Sequence, residues 1–188
     1  MANTPSLSQS RLRRRGLHAY RVGIFVFLIV MIHRQHDWFV EQKRGAMKQP
    51  VGVEQVSPFY PAAHRLSEWD PNHGGQNVFD ESGGPLGYVL QTSPEADNII
   101  GFSGPTNTLI AFDKDRKILG ILVLSSDDTK EHLSVVLKSE TFLQQWNGLR
   151  KDEAAANPEM DAVSGATLTS NSIADGIATR LGGGNRKS

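Results

Sequence analysis

Towards the C-terminal end of the chain stands Asp161-Ala162-Val163-Ser164-Gly165-Ala166-Thr167-Leu168-Thr169-Ser170, where small residues and hydroxyls crowd together. The small run Ser164-Gly165-Ala166 lets a bulky phosphate approach the backbone. Hydroxyls at Ser164, Thr167, Thr169 and Ser170 can donate to phosphate oxygens. A helix is predicted just beyond, over about residues 170–181, and free N–H groups at a helix start favour an anion. The same side chains also serve as N-caps, the ordinary reason for Ser and Thr ahead of a helix. Local physics leaves anion binding and helix capping both open.

Other chemistry is narrowly bounded. The chain of 188 residues has no cysteine. Disulfides, thiolate zinc sites, cysteine nucleophiles and Cys-ligated iron–sulfur clusters are therefore excluded, and any redox chemistry must reside on a cofactor held by other means. His33 and His36 stand three apart beside an apolar run and read as interfacial histidines, since no further ligand is near them. His64, His73 and His132 are scattered, without a catalytic metal spacing. Asp127-Asp128 is read as a helix cap before a cation site. Gly182-Gly183-Gly184 has no strand before it and is not a phosphate loop. Trp69 and Trp146 read as core or edge aromatics.

The segment also resembles the Asp-x-x-Ser/Thr-Gly-Ala-Thr flavinylation motif of the FMN-binding domain family. That family includes covalently flavinylated components of the sodium-pumping NADH:quinone reductase and of Rnf complexes, together with nitrous-oxide-reductase regulators. Asp161, Ser164, Gly165, Ala166 and Thr167 match it, a coincidence expected in roughly one chain of this length in several thousand at average residue usage. Ile100-Gly101-Phe102-Ser103-Gly104-Pro105 is similar to the family's Gly-Tyr-x-Gly-Pro hairpin, and the resemblance runs from about Leu86 to Leu181. It implies that Thr167 accepts FMN from FAD as a phosphoester, through a dedicated flavin transferase. Asp161, Ser164, Gly165, Ala166, Thr169 and Ser103 are the other residues assigned to the cofactor. The implied role is electron transfer with membrane partners, such as an iron–sulfur or quinone-linked protein. The same resemblance admits a redox-sensing module, and a plain interaction domain without flavin is the remaining alternative. No general acid, base or substrate pocket is legible, so the chain reads as an electron-transfer component before a free-standing enzyme. Where family members carry Glu-Thr-Pro-Gly-Leu-Gly near the flavin, this chain has Ser126-Asp127-Asp128-Thr129-Lys130-Glu131. The exchange predicts a flavin edge that is more exposed, more negatively surrounded and of lower potential.

These residues need a scaffold, and the patterning supplies an α+β one. Residues 86–92, 98–101, 108–112 and 118–124 read as strands, with 77–80 as a short one. Residues 108–112 and 118–124 are close enough to form an antiparallel hairpin. Leu133, Val136 and Leu137 fall on one helical face, with Asp127 or Asp128 as N-cap. A second helix spans 140–146 and ends at Gly148. Asp70–Gly75 reads as a loop.

A single N-terminal segment is expected to anchor this domain. Arg11, Arg13, Arg14 and Arg15 precede Leu17, and residues 22–32 are unbroken apolar. The arrangement resembles a basic region followed by a signal core without a cleavage site, hence an uncleaved signal anchor. The alternative is a buried core element. We divide the chain into a basic cytoplasmic leader (1–16), an anchor (17–40), an extracytoplasmic FMN-binding domain (45–181) and a disordered tail (182–188). By the positive-inside rule this is a single-pass cell-membrane protein with its C-terminal domain in the periplasm. Total charge is balanced at 20 Lys+Arg and 20 Asp+Glu, yet from Gly45 onward twelve basic residues face eighteen acidic ones. An acidic body argues against a nucleic-acid partner.

Overall fold

The structure is a computed structural model that describes residues 7–47, 51–70, 75–156 and 160–183. The chain divides into two compact units, residues 1–43 and 44–188. Helix α1 runs from Leu7 to Met47, and the first unit takes in its residues up to Lys43. Its portion Gly16–Trp38 is 23 residues long with mean hydropathy 1.7, and none of it is buried. At 1.5 Å per residue such a stretch extends about 35 Å, long enough and apolar enough to cross a membrane. The large apolar side chains of its middle, Phe25 and Phe27 among them, are exposed, so the expected alternative of a buried core element is not what forms.

The second unit is α+β. Five strands form one antiparallel sheet in chain order: β1 (Arg65–Leu66), β2 (Gly75–Phe79), β3 (Pro85–Gln91), β4 (Thr106–Phe112) and β5 (Ile118–Ser126). A short helix α2 (Val53–Val56) precedes them. After the sheet come α3 (Lys130–Leu137), α4 (Glu140–Leu143) running into a 3-10 turn (Gln144–Trp146), α5 (Lys151–Ala155) and α6 (Thr167–Arg180).

Alternation along the strands sorts the core into two layers. Leu90, Ile110, Phe112 and Ile121 face the helices and pack with Val136, Phe142, Trp146, Ile173 and Ile177. Val89, Leu109 and Ala111 point the other way, onto Val56, Tyr60 and Val78. Strand β4 is thus covered on both faces, which is why residues 109–112 are an unbroken apolar run. The Tyr60 hydroxyl lies 2.6 Å from the Phe112 carbonyl oxygen and fastens the N-terminal segment to the end of β4.

Several expected elements differ in the structure. Residues 98–101 form no strand. The amide of Ala96 donates to the Thr92 carbonyl and that of Ile99 to Ala96, so this stretch coils into turns. Buried Ile99 beside exposed Ile100 imitates strand alternation without a pairing partner. The helix expected over 140–146 tightens into a 3-10 turn from Gln144, and Gly148 beyond it has φ +80°. The Ala-rich stretch after Arg150 is helical, as α5. Residues 71–74 of the expected loop, the first six residues of the leader and the tail beyond Gly183 lie outside the described residues.

Candidate functional site

The chemistry-bearing segment meets the rest of the domain at the start of α6. This helix begins at Thr167, three residues earlier than the pattern suggests, with Ala166 as N-cap. Alanine offers no capping oxygen. The N–H groups of the first turn accordingly point forward without an intrahelical partner. The preceding residues make a tight turn, closed by the Ala166 amide on the Val163 carbonyl at 3.0 Å. Gly165 holds φ +82° in that turn. A β-carbon there would meet nothing within 4 Å, so glycine is needed for its backbone conformation and not for space.

The hydroxyls divide into two kinds. Ser164 and Thr167 are exposed, while Thr169 and Ser170 are fully buried. Ser170 Oγ accepts from the Val163 amide at 3.1 Å and donates to the Ala166 carbonyl at 3.0 Å, locking the turn onto the helix. Thr169 Oγ1 donates to Asp128 Oδ2 at 2.6 Å. Thr169 is therefore not a helix cap, contrary to the simplest reading of a hydroxyl there. Asp161 is exposed, and its backbone forms a two-way bridge with the side-chain amide of Gln145.

Asp128 is the residue that reading the sequence missed. The pattern points to it as a cap of α3, but the N-cap is Thr129, and Asp128 turns into the domain. Its carboxylate accepts from the amides of Phe102 (3.0 Å), Ser103 (2.8 Å) and Thr129 (2.9 Å), and from Thr169. Three connections meet on this one group: the β3–β4 loop, the β5–α3 loop and the first turn of α6. Burial alone would raise its pKa. The hydrogen bonds from Thr169, Phe102, Thr129 and Ser103 together outweigh that and hold it below the ordinary aspartate value. Gly101 makes the convergence possible, because a β-carbon there would collide with Asp128 Oδ2. Ser103 Oγ is committed to the same cluster, donating toward the Asp127 carbonyl and the Asp128 carboxylate, both at 3.2 Å. The structure thus joins Ser103 and Thr169 through Asp128, while Ser164, Gly165 and Thr167 stand on the outer side of the turn.

Around this junction several apolar side chains remain exposed: Ile100, Phe102 and Leu168. Phe102 meets His132 edge-on at 4.5 Å, and His132 Nδ1 lies 2.8 Å from Thr129 Oγ1. Asp127 is exposed where Asp128 is buried, so the two carboxylates expected to surround a flavin edge have different environments. No group of three metal-ligating side chains occurs among the described residues.

The domain is α+β with a meander sheet, and it presents an exposed threonine at the head of its last helix after a small-residue turn. Residues 101–181 match the FMN-binding domain family, the family the motif resembles. The matched region opens at Gly101 and closes at Leu181, and so holds both the Asp128 junction and the Thr167 turn. The match supports flavin binding by this domain. No curated protein matches the chain.

Proposed function

We propose that the protein is a membrane-anchored flavoprotein carrying FMN as a phosphoester on Thr167 and passing electrons between membrane partners. One observation carries the choice of residue. Thr169 and Ser170 are buried and hydrogen-bonded inward, whereas Thr167 offers an exposed hydroxyl at the first position of a helix whose N-cap is alanine. A phosphate there gains from the helix N–H groups and dipole, and the turn at Ser164-Gly165 leaves the approach open. Bound FMN supplies reversible electron storage. The chain supplies attachment, a rigid support through Asp128, and an exposed apolar surface at Phe102 and Leu168 beside the attachment point. Without a cysteine in the chain, such a covalent link retains a cofactor that would otherwise diffuse away. Helix α1 acts as the anchor, with the domain outside the cytoplasm.

Co-expression with a flavin transferase should add the mass of one FMN phosphoester to the intact protein, on a peptide containing Thr167. Thr167→Ala should abolish the addition and leave the circular-dichroism spectrum unchanged. Covalent flavin persisting on Thr167→Ala would overturn the assignment of the residue. A wild-type chain that never acquires flavin would overturn the function.

A further inference from the structure

A large concavity of the domain lies away from Thr167. A cleft of about 780 Å³ is bounded by β2, β3, the β4–β5 turn, and residues of α5 and α6. None of residues 161–169 lines it. Arg180, which does, stands at the far end of α6 from Thr167, a helix length of about 20 Å. Four cationic side chains surround the cleft: Lys114 and Arg116 from the turn, Lys151 at the start of α5, and Arg180. Two carboxylates share the lining, Asp70 and Asp113. Asp113 Oδ1 is occupied by the amides of Asp115 and Lys117, each at 2.8 Å. Arg180 is held in place, with Nε donating to the Gln91 carbonyl at 2.7 Å and lying 3.6 Å from Glu95. Lys114, Arg116 and Lys151 form no ion pair among the described residues.

This gathering runs against the charge of the body, in which acidic residues outnumber basic ones by eighteen to twelve from Gly45 onward. A neighbouring hollow of about 470 Å³ shares Arg116 and Lys151 and adds Arg150. Arg116 is also the described non-glycine residue with positive φ, at +63°. Such a conformation costs roughly 1 kcal/mol for a residue with a β-carbon. Glycine would adopt the same conformation without that cost. The cleft has an apolar component too. Tyr88 stacks on Phe112 with ring centroids 4.6 Å apart and planes 5° from parallel, and Val89, Leu90 and Pro85 complete the lining.

We propose that this cleft is a second binding site, independent of the flavin reading, for an organic phosphate whose anionic group meets Lys114, Arg116 and Lys151 and whose body lies against Tyr88. Its volume falls within the range of small-molecule sites, and convergent cations over an aromatic floor suit a phosphate attached to a flat or apolar group. The same chemistry is offered by a soluble nucleotide and by an anionic lipid headgroup, and one experiment separates them.

The full-length protein is reconstituted in phosphatidylcholine vesicles, and acetylation rates of Lys114, Lys151 and Lys138 are followed by mass spectrometry. Lys138, exposed at the end of α3 and outside the cleft, is the internal reference. Either 5′-AMP is added, or about a third of the lipid is replaced by phosphatidylglycerol. One of these should slow Lys114 and Lys151 about fivefold, with Lys138 changed less than about twofold. Slowing by 5′-AMP assigns a soluble ligand, and slowing by phosphatidylglycerol assigns a headgroup. Equal slowing at Lys138, or none at either cleft lysine under both additions, overturns the site. Arg116→Gly suits the positive φ and should keep the thermal midpoint while reducing the protection. Protection that survives this change undiminished also overturns it.

Discussion

Thr167 and Thr169 are two positions apart with the same functional group, yet they sit on opposite sides of the helix surface and answer to different chemistry. Thr169→Ala should leave flavin attachment intact. It should cost about 1–3 kcal/mol in urea unfolding, because Asp128 Oδ2 loses a buried donor. A loss of flavin without a loss of stability would mean that Thr169 acts on the cofactor directly. Gly165→Ala tests the turn. Its φ of +82° makes any side chain unfavourable by roughly 1–2 kcal/mol although the space is open. Flavinylation should therefore fall because the turn is misplaced, with alanine and valine similarly harmful. A graded effect that follows side-chain size would favour crowding of the phosphate path instead. Asp128 sets a pH dependence. Its folded pKa is depressed, so its contribution is present above the unfolded value near 4 and lost as pH falls through the folded one. Asp128→Asn should destabilise the domain by about 2–3 kcal/mol at neutral pH and by less in acid. Parallel acid-unfolding curves for the two proteins would remove the carboxylate from that role.

At the scale of elements, what was legible follows local pattern, and what was not depends on partners distant in the chain. Residues 109–112 announced β4 because both faces are buried, and the β4–β5 hairpin followed from its short acidic and basic turn. The Thr167 turn was legible from its small residues, although α6 starts at Thr167 because Ser170 folds back on Ala166 and Val163 rather than capping. Asp128 could not be read as a hub, since Phe102 reaches it from the β3–β4 loop and Thr169 from the first turn of α6, 26 and 41 positions away. One hint lay in Gly101, a glycine that demands close approach. The basic cleft was equally hidden, because Lys114, Lys151 and Arg180 are far apart in sequence and only the packing of α5 and α6 against the sheet gathers them. Helix α1 carries its own prediction. A reporter fused after Ser188 should be active only outside the cytoplasm, and alkaline extraction should leave the chain in the membrane. Release into the soluble fraction would sink the anchor.

For the whole molecule, the sheet is a meander in which every strand pairs with its neighbour in the chain. Local pairings close short loops, so the sheet should assemble quickly and progressively as the chain is made. The last helix is the exception, fastened by Thr169 to Asp128 and by Arg180 to Gln91, 89 positions upstream. Until α6 docks, the carboxylate of Asp128 lacks one donor and the layer containing Ile110 and Phe112 lacks its cover from Ile173 and Ile177. If α6 docks last, the Thr167 hydroxyl proposed as the acceptor would take its outward position only as folding closes. A transferase that reads the finished turn would modify only completed domains, and the flavin itself would then serve as a mark of quality control on the protein.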